Sequence, residues 1–293
     1  MKFKLLNIML VAPFLAVAAS HASDPLPPVS ALKTTDVPLI FGDTYVSVGA
    51  SAELHGDVLA STYLVAGATT DVTGHIQTGT AVTLGASTRV GGEINSDTAI
   101  TLGASSIVNG RACFGTALTQ GAGATYNENS CDGIVEMTYN RDQLVTQKDG
   151  LSDLTDPNDA QRNVLESFIS QDETLTPEYV VNGNAVYNAT SLTTGENVTI
   201  TLVGSFNFVF NITDMISLGA GTQINFADGS NGSVTWNIGG YTSLGTDAKM
   251  VGNVLSSGYV STGVRSEVCG GLFSADSYVT VGASAKVGTC TFD

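Results

Sequence analysis

Gly49, Gly67, Gly85, Gly103 and Gly121 stand 18 residues apart, and a second set, Gly56, Gly74, Gly92 and Gly110, keeps the same step. The units read YVSVGASAELHGDVLAST, YLVAGATTDVTGHIQTGT, AVTLGASTRVGGEINSDT and AITLGASSIVNGRACFGT, followed by a degraded ALTQGAGATYNENSC. A short fixed period restricts a chain to architectures in which one unit stacks on the next. Within each unit the apolar residues alternate: Val46 and Val48 become Leu64 and Ala66, then Val82 and Leu84, then Ile100 and Leu102. Two further columns align, Leu54, Val72, Val90, Val108 and Val58, Ile76, Ile94, Ala112. Period two over strands of four or five residues, with Gly and small residues at the turns, describes three short strands per coil. Antiparallel hairpins would not hold two glycine columns and four apolar columns in step over four units. The pattern therefore predicts an all-β-dominated chain, a parallel β-helix (β-solenoid) of about 18 residues per coil whose stacked coils share one core.

The same grammar returns late in the chain, in YTSLGTDAKMVGNVLSSG, YVSTGVRSEVCGGLFSADS and YVTVGASAKVG, with Gly245, Gly263 and Gly282 in the Gly49 role. The expected organisation is a signal segment 1–22, a lead-in or cap 23–44, regular coils 45–131, a polar helical insert or cap 132–178, and irregular then regular coils 179–293 of the same body. In the lead-in, the apolar stretch 37–41 is expected to begin a strand or to cap the first coil. In the insert, Asp156-Pro157 and Asp159 resemble a helix start, with Val164, Leu165, Phe168 and Ile169 as its apolar stripe. Residues 137–147 are expected to form a second helix or a turn.

Lys2 and Lys4, the apolar run 5–19 and Ser20-His21-Ala22 have the form of a secretory signal. Cleavage there leaves nine basic residues against 27 acidic ones, a balance that argues against nucleic acid and anionic membrane surfaces as partners. No later stretch is apolar for long enough to span a bilayer. The expected location is extracellular, with the periplasm as the other exported compartment, where disulfides are permitted. Cys113 and Cys131 occupy the same position of successive coils, so stacking brings their Cα atoms to roughly 5 Å, within disulfide range. Cys269 and Cys290, about one coil apart, are the expected second pair. Scattered cysteines and the histidines His55 and His75 form no metal-ligand cluster, and no cofactor is expected.

Function on such a scaffold should lie on outward columns. Two residues before the glycine the column reads Ser47, Val65, Thr83, Thr101 and Thr119, then Ser243, Ser261 and Thr280. Its neighbour reads Tyr45, Tyr63, Ala81, Ala99 and Ala117, then Tyr241, Tyr259 and Tyr278, and a threonine column, Thr44, Thr62, Thr80, Thr98 and Thr116, precedes the strand. This face carries almost no charge, whereas Glu53, Asp71, Arg89, Asp57, His75, Glu93 and Arg111 fall on the other two. Ser47, Thr80, Thr83, Thr98, Thr101, Thr119, Tyr241, Ser243, Tyr259, Ser261, Tyr278 and Thr280 are accordingly the candidate binding residues. An uncharged periodic face suits another periodic surface: a crystal, a polysaccharide or a neighbouring copy. β-propensity alone would also favour Ser and Thr on strands. No GxSxG, HExxH or phosphate-loop pattern is present, so no enzyme is expected.

From Val198 to Ser274 the chain resembles the microbial ice-binding protein family. The resemblance is carried by Phe208-Val209-Phe210-Asn211-Ile212, Leu218-Gly219-Ala220-Gly221, Val234-Thr235-Trp236-Asn237-Ile238-Gly239-Gly240, Leu244-Gly245-Thr246 and Val251-Gly252-Asn253-Val254-Leu255. It covers roughly 190–290, and the Trp236 segment is its most specific part. The resemblance implies an irregular right-handed β-helix with an α-helix packed alongside. It also implies secretion and adsorption to an ice crystal surface through a flat β-face, giving antifreeze activity or inhibition of recrystallisation. The first half, with its strict 18-residue repeat, departs from the family's usual opening and resembles polymer-forming solenoids. The alternative is therefore a non-catalytic surface adhesin or matrix-forming solenoid that binds glycans or itself.

Overall fold

The computed structural model describes residues 37–127, 131, 139–154 and 163–289. Apart from one helix, the regular elements are short parallel strands that stack coil upon coil. Three faces result. Sheet B takes the strand before each Gly49-type glycine. Sheet C takes the strand after it, and sheet A closes the coil. The strand Ile107–Phe114 bends through a corner and joins sheet C to sheet A.

Alternation places the repeat's apolar columns inside. Val46, Leu54, Val58, Ile76, Val90, Ile94 and Ile100 are fully buried, and Val48, Leu64, Val72, Val82, Leu84 and Leu102 nearly so. The glycine column is dictated by coil-to-coil approach. A Cβ on Gly103 would lie 2.4 Å from the backbone carbon of Gly85, closer than any side chain tolerates. At the next position but one, each corner turns through the left-handed region, with Ser51, Thr69, Ser87 and Ser105 at φ 57–59°. Inward hydroxyls tie these corners: Thr70 Oγ1 donates to the carbonyls of Gly67 (2.9 Å) and Gly49 (3.1 Å), and Thr88 Oγ1 to that of Gly67 (3.0 Å).

The spatial order of coils is not the chain order. In sheet B the strands run Ala117–Gln120, Ala99–Leu102, Ala81–Leu84, Tyr63–Ala66, Val46–Val48, then Val279–Val281, Val260–Ser261, Thr242–Leu244, Ile216–Leu218, Leu192–Thr194 and Phe168–Ile169. From residue 37 the described chain enters in the middle of the solenoid and climbs to one end, and from residue 163 it runs from the other end back to the first coil. At the junction Gly49 N–H donates to Val281 O (2.8 Å), Glu53 N–H to Ala285 O (2.9 Å) and His55 N–H to Val287 O (2.9 Å). The strand Ile40–Gly42 pairs with both Leu272–Ser274 and Val58–Ala60. Of the two expectations for 37–41, beginning a strand or capping the first coil, the strand is the one formed, as Ile40–Gly42 at the splice, and with both its edges paired it caps no open end.

The helix α1 is Arg141–Ser152. Its start is set by a capping box in which Asn140 Oδ1 accepts from Gln143 N–H (3.1 Å) and Gln143 Oε1 accepts from Asn140 N–H (2.9 Å). The helix expected from Asp156 does not extend through 163–169: Asn163–Val164 and Phe168–Ile169 are strands of the terminal coil, and the expected start at 156–159 lies outside the described residues. Leu165 and Ile169, read as one helical stripe, instead face the solenoid interior.

α1 lies on the outer surface of sheet A. Leu144 and Leu151 pack with Phe41, Leu59, Val209, Leu255 and Phe273, and Tyr139 sets its ring against Phe41 (5.2 Å) and Phe273 (5.9 Å). Lys148, buried in the same contact, donates from Nζ to Asn237 Oδ1 (2.9 Å), Ile238 O (2.6 Å) and Leu255 O (2.9 Å). Burial lowers its pKa to about 8. Asn237 Nδ2 returns a bond to Lys148 O (3.0 Å), and Asn211 Nδ2 one to Leu151 O (3.1 Å).

The disulfide Cys113–Cys131 is formed, with Cα atoms 5.7 Å apart on adjacent coils. Cys269 is also disulfide-bonded; Cys290, its expected partner, lies outside the described residues.

Candidate functional site

With sheet A covered by α1, sheets B and C present the open faces, and they differ in charge. On sheet C the register brings Arg89, Asp71, Glu53, Lys286, Glu267, Lys249 and Gln223 into one outward column. Ion pairs cross it, Lys286–Glu53 at 3.2 Å and Lys249–Glu267 at 3.5 Å. Its other flank, toward sheet A, holds Arg111 on Glu93 (2.8 Å), and that guanidinium lowers the Glu93 pKa.

Sheet B carries none of this. Its outward column runs, coil by coil, Thr119, Thr101, Thr83, Val65, Ser47, Thr280, Ser261, Ser243, Ser217, Thr193 and Phe168. At about 4.8 Å per coil the column spans roughly 48 Å. The nine hydroxyls in it make no side-chain hydrogen bond to any described residue, so they face solvent. The candidate residues Ser47, Thr83, Thr101, Thr119, Ser243, Ser261 and Thr280 are therefore brought into one line.

Thr80 and Thr98 belong to a different arrangement. Their column sits at the corner between sheets A and B, where Thr80 Oγ1 donates to Thr62 O (2.9 Å), Thr116 Oγ1 to Thr98 O (2.8 Å), and Thr62 and Thr98 hydroxyls bond the carbonyls of Thr44 and Thr80. These hydroxyls are committed to the backbone of the neighbouring coil and stiffen the edge of the face.

The tyrosines line the other outward column of the same sheet. Tyr63, Tyr45, Tyr278, Tyr259 and Tyr241 stack in that order, with centroids 5.0, 4.7, 5.5 and 4.8 Å apart and planes within 12°. Partial burial, then the neighbouring phenols, raises the pKa of Tyr45 and Tyr259, so this part of the face stays neutral at ordinary pH. Beyond Tyr63 the column continues as Ala81, Ala99 and Ala117.

Ser217 and Thr193 were missed by counting, because their coils are 24–26 residues long rather than 18. The signal was present: Ile216-Ser217-Leu218-Gly219 and Leu192-Thr193-Thr194-Gly195 repeat the apolar-x-apolar-Gly form, with Thr194 buried in the second apolar place.

The uncharged field is not equally wide along the molecule. At the corner toward sheet C the coils of residues 45–127 carry Ser51, Thr69, Ser87, Ser105 and Gly123, whereas the later coils carry, besides Ser284, Gly221 and Asn197, the charged Arg265 and Asp247, paired at 2.7 Å. Among the described residues no group of three or more His, Cys, Asp and Glu is placed to hold a metal ion.

The family model described as Ice-binding-like matches residues 142–286. The fold is similar to that of an ice-binding protein from the Antarctic ascomycete Antarctomyces psychrotrophicus, at 15% identity and a TM-score of 0.53, covering 89% of this chain and 98% of that one. It is also similar to a glycosylated ice-binding protein from an Arctic yeast (16%, 0.52, 89% and 94%). A domain of an ice-binding protein from Shewanella frigidimarina is similar too (19%, 0.52, 92% and 99%). At these identities the likeness is one of fold. A comparison with curated protein sequences finds no match.

Proposed function

We propose that this chain, whose residues 142–286 belong to the ice-binding-like family, is a secreted ice-binding protein that adsorbs to ice through the outer face of sheet B. One observation carries the choice of face. Eleven coils, drawn from two separate parts of the chain, hold a single in-register column in which nine residues are solvent-facing hydroxyls, Val65 and Phe168 are the other two, and none is charged. Sheet A is closed by α1 and sheet C is laced with ion pairs whose hydration is charge-dominated.

The chemistry is that of holding water. A hydroxyl fixed on a strand can both donate to and accept from a first-layer water. The methyl groups of Thr83, Thr101 and Thr119 and of Ala81, Ala99 and Ala117 leave gaps where water bonds only to water. Regular spacing along the coils lets that layer join a growing lattice. Rigidity matters because a mobile array would lose conformational entropy on adsorption. The corner hydroxyls of Thr80 and Thr98 and the inward hydroxyls of Thr70 and Thr88 supply that rigidity. Adsorbed molecules force the ice front to curve between them, which lowers the local freezing point and slows recrystallisation.

The field is widest over coils 45–127, so the critical residues are Thr83 and Thr101. Thr101→Tyr or Thr83→Tyr should abolish most thermal hysteresis while leaving the melting temperature near that of the parent protein. Asp71→Tyr, on sheet C one coil away from Thr83, should leave hysteresis intact. Full activity in both threonine variants would move the binding surface away from sheet B.

A further inference from the structure

The tyrosine column ends abruptly. Tyr63 stacks on Tyr45 with planes 6° apart, so its second face looks along the solenoid axis toward the next coil. The residue in register there is Ala81, followed by Ala99. Where a sixth ring would stand, a shelf of methyl groups lies instead. The exposure follows: Tyr63 is 40% exposed, as is its neighbour Val65, while Tyr45, Tyr278, Tyr259 and Tyr241 are all less so. At the far end of the column Met215, level with Tyr241 because Ile216 pairs with Thr242, occupies the corresponding place.

We infer that the open ring face of Tyr63 and the shelf at Ala81 and Ala99 form a binding site for one neutral pyranose unit of a polysaccharide. A flat ring face on a ledge takes a slab-shaped group with one apolar side. A pyranose chair offers such a side in its axial C–H groups, with hydroxyls at its rim. The rim meets Thr83 and Thr101, whose hydroxyls bond to no described residue. No charged side chain stands in either outward column of sheet B over these coils, which matches an uncharged sugar and disfavours an acidic glycan or a charged peptide. A second copy of the chain stacking head to tail is disfavoured as well, because the coils of Ala81, Ala99 and Ala117 stand between Tyr63 and that end of the solenoid. The site shares Ala81, Ala99, Thr83 and Thr101 with the proposed ice-binding face, but sugar binding at Tyr63 is read without ice and so is tested apart from it.

The test is titration of the full chain with cellohexaose and with isomaltohexaose, followed through tyrosine ring proton shifts by NMR. Saturable shifts centred on Tyr63, with a Kd of about a millimolar, are expected for a single stacked ring. Tyr63→Ala should weaken binding by about tenfold or more, and Tyr63→Phe should restore it to within about threefold, because the ring rather than the phenol is the platform. Absence of saturable shifts with both sugars, or unchanged affinity in Tyr63→Ala, would overturn the inference. So would Tyr63 shifts that follow protein dilution instead of sugar, which would assign the ring face to a second copy.

Discussion

The coils of residues 45–127 and those of residues 163–240 build the same face by different means. In the first group every coil takes 18 residues, sheet A strands such as Val58–Ala60, Ile76–Thr78 and Ile94–Ser96 are three residues long, and the interior is aliphatic. In the second group the step rises to 24–26 residues, and the sheet A strands Asn184–Ala189, Asn207–Ile212 and Ser233–Ile238 are six residues long. The interior there is filled by Tyr187, Phe210 and Trp236, stacked at 5.0 and 4.0 Å. Sheet B does not register the change: Leu192–Thr194 and Ile216–Leu218 are as short as Val46–Val48. The added residues widen the side that seats α1, and the outward column runs on undisturbed. The face proposed to bind is thus kept constant while the opposite side of the coils changes in width.

The largest break in that contrast should come from the aromatic interior. Trp236 is fully buried, stacks on Phe210 and donates Nε1–H to Val251 O at 2.8 Å. Trp236→Ala should cost about 3–5 kcal/mol in urea denaturation, whereas Ile94→Val in the narrow coils should cost about 0.5–1.5 kcal/mol. Equal losses would mean that the wide coils do not depend on their rings.

What could be read from the chain follows the same division. In the narrow coils the period is strict, so strands, interior columns and the Cys113–Cys131 bridge are all legible from spacing. The wide coils hide the period because their extra length falls between sheet B strands, and Ser217 and Thr193 drop out of a count of 18. Of the two helices expected, the one at 137–147 (helix or turn) is met by α1, which runs on to Ser152 from its capping pair, Asn140 and Gln143. The other misleads for a related reason: Leu165 and Ile169, four apart, imitate a helical stripe but are inward residues of a short-stranded coil. The splice left one trace. The units at 45 and 278 are nearly identical, yet Glu53 is matched by Lys286, and these two meet across the junction. Separation of Thr80 and Thr98 from the face needed coordinates, since only geometry shows their hydroxyls turned to the backbone.

A second difference is how each region's far end is held. Cys113–Cys131 closes a loop across the end of the narrow run, and removing it as Cys113→Ser with Cys131→Ser should cost about 3 kcal/mol. The loss should appear as faster proteolysis and amide exchange in residues 107–127, with the coils of 163–240 protected as before. Uniform loss of protection would show that the two regions unfold as one unit.

α1 packs across both groups of coils, and Lys148, bonded to Asn237 and Ile238 of the wide ones, makes that contact sensitive to pH. Its folded pKa is depressed to about 8, against about 10.4 for an unfolded lysine. Below pH 8 both states carry the proton and stability is flat. Above it the folded chain releases a proton that the unfolded chain keeps, so stability rises with pH, by at most about 1.4 kcal/mol per pH unit. Urea denaturation between pH 7 and 9.5 should show this slope in the parent protein and not in Lys148→Met. A slope of equal size in both would place its origin elsewhere.

The smallest and sharpest comparison is between two glycines at the same corner of the coil. Gly123 in the narrow run and Gly221 in the wide run have φ of 72° and 68°, so replacing either by serine carries the same backbone strain, about 1–2 kcal/mol. Part of it, about 0.5–1 kcal/mol, is offset by the freedom glycine loses on folding. Their surroundings differ. A Cβ on Gly123 would meet only Ser105 Oγ at 3.6 Å, whereas one on Gly221 would fall 2.3 Å from Asn197 Oδ1. Gly123→Ser should therefore be nearly neutral, as the native serines at Ser87 and Ser105 show such a corner to be tolerated. Gly221→Ser should lose about 1 kcal/mol more, because Asn197 must move. If the two variants are equally stable, the corner of the wide coils is as open as that of the narrow ones, and the difference between the regions is confined to their interiors.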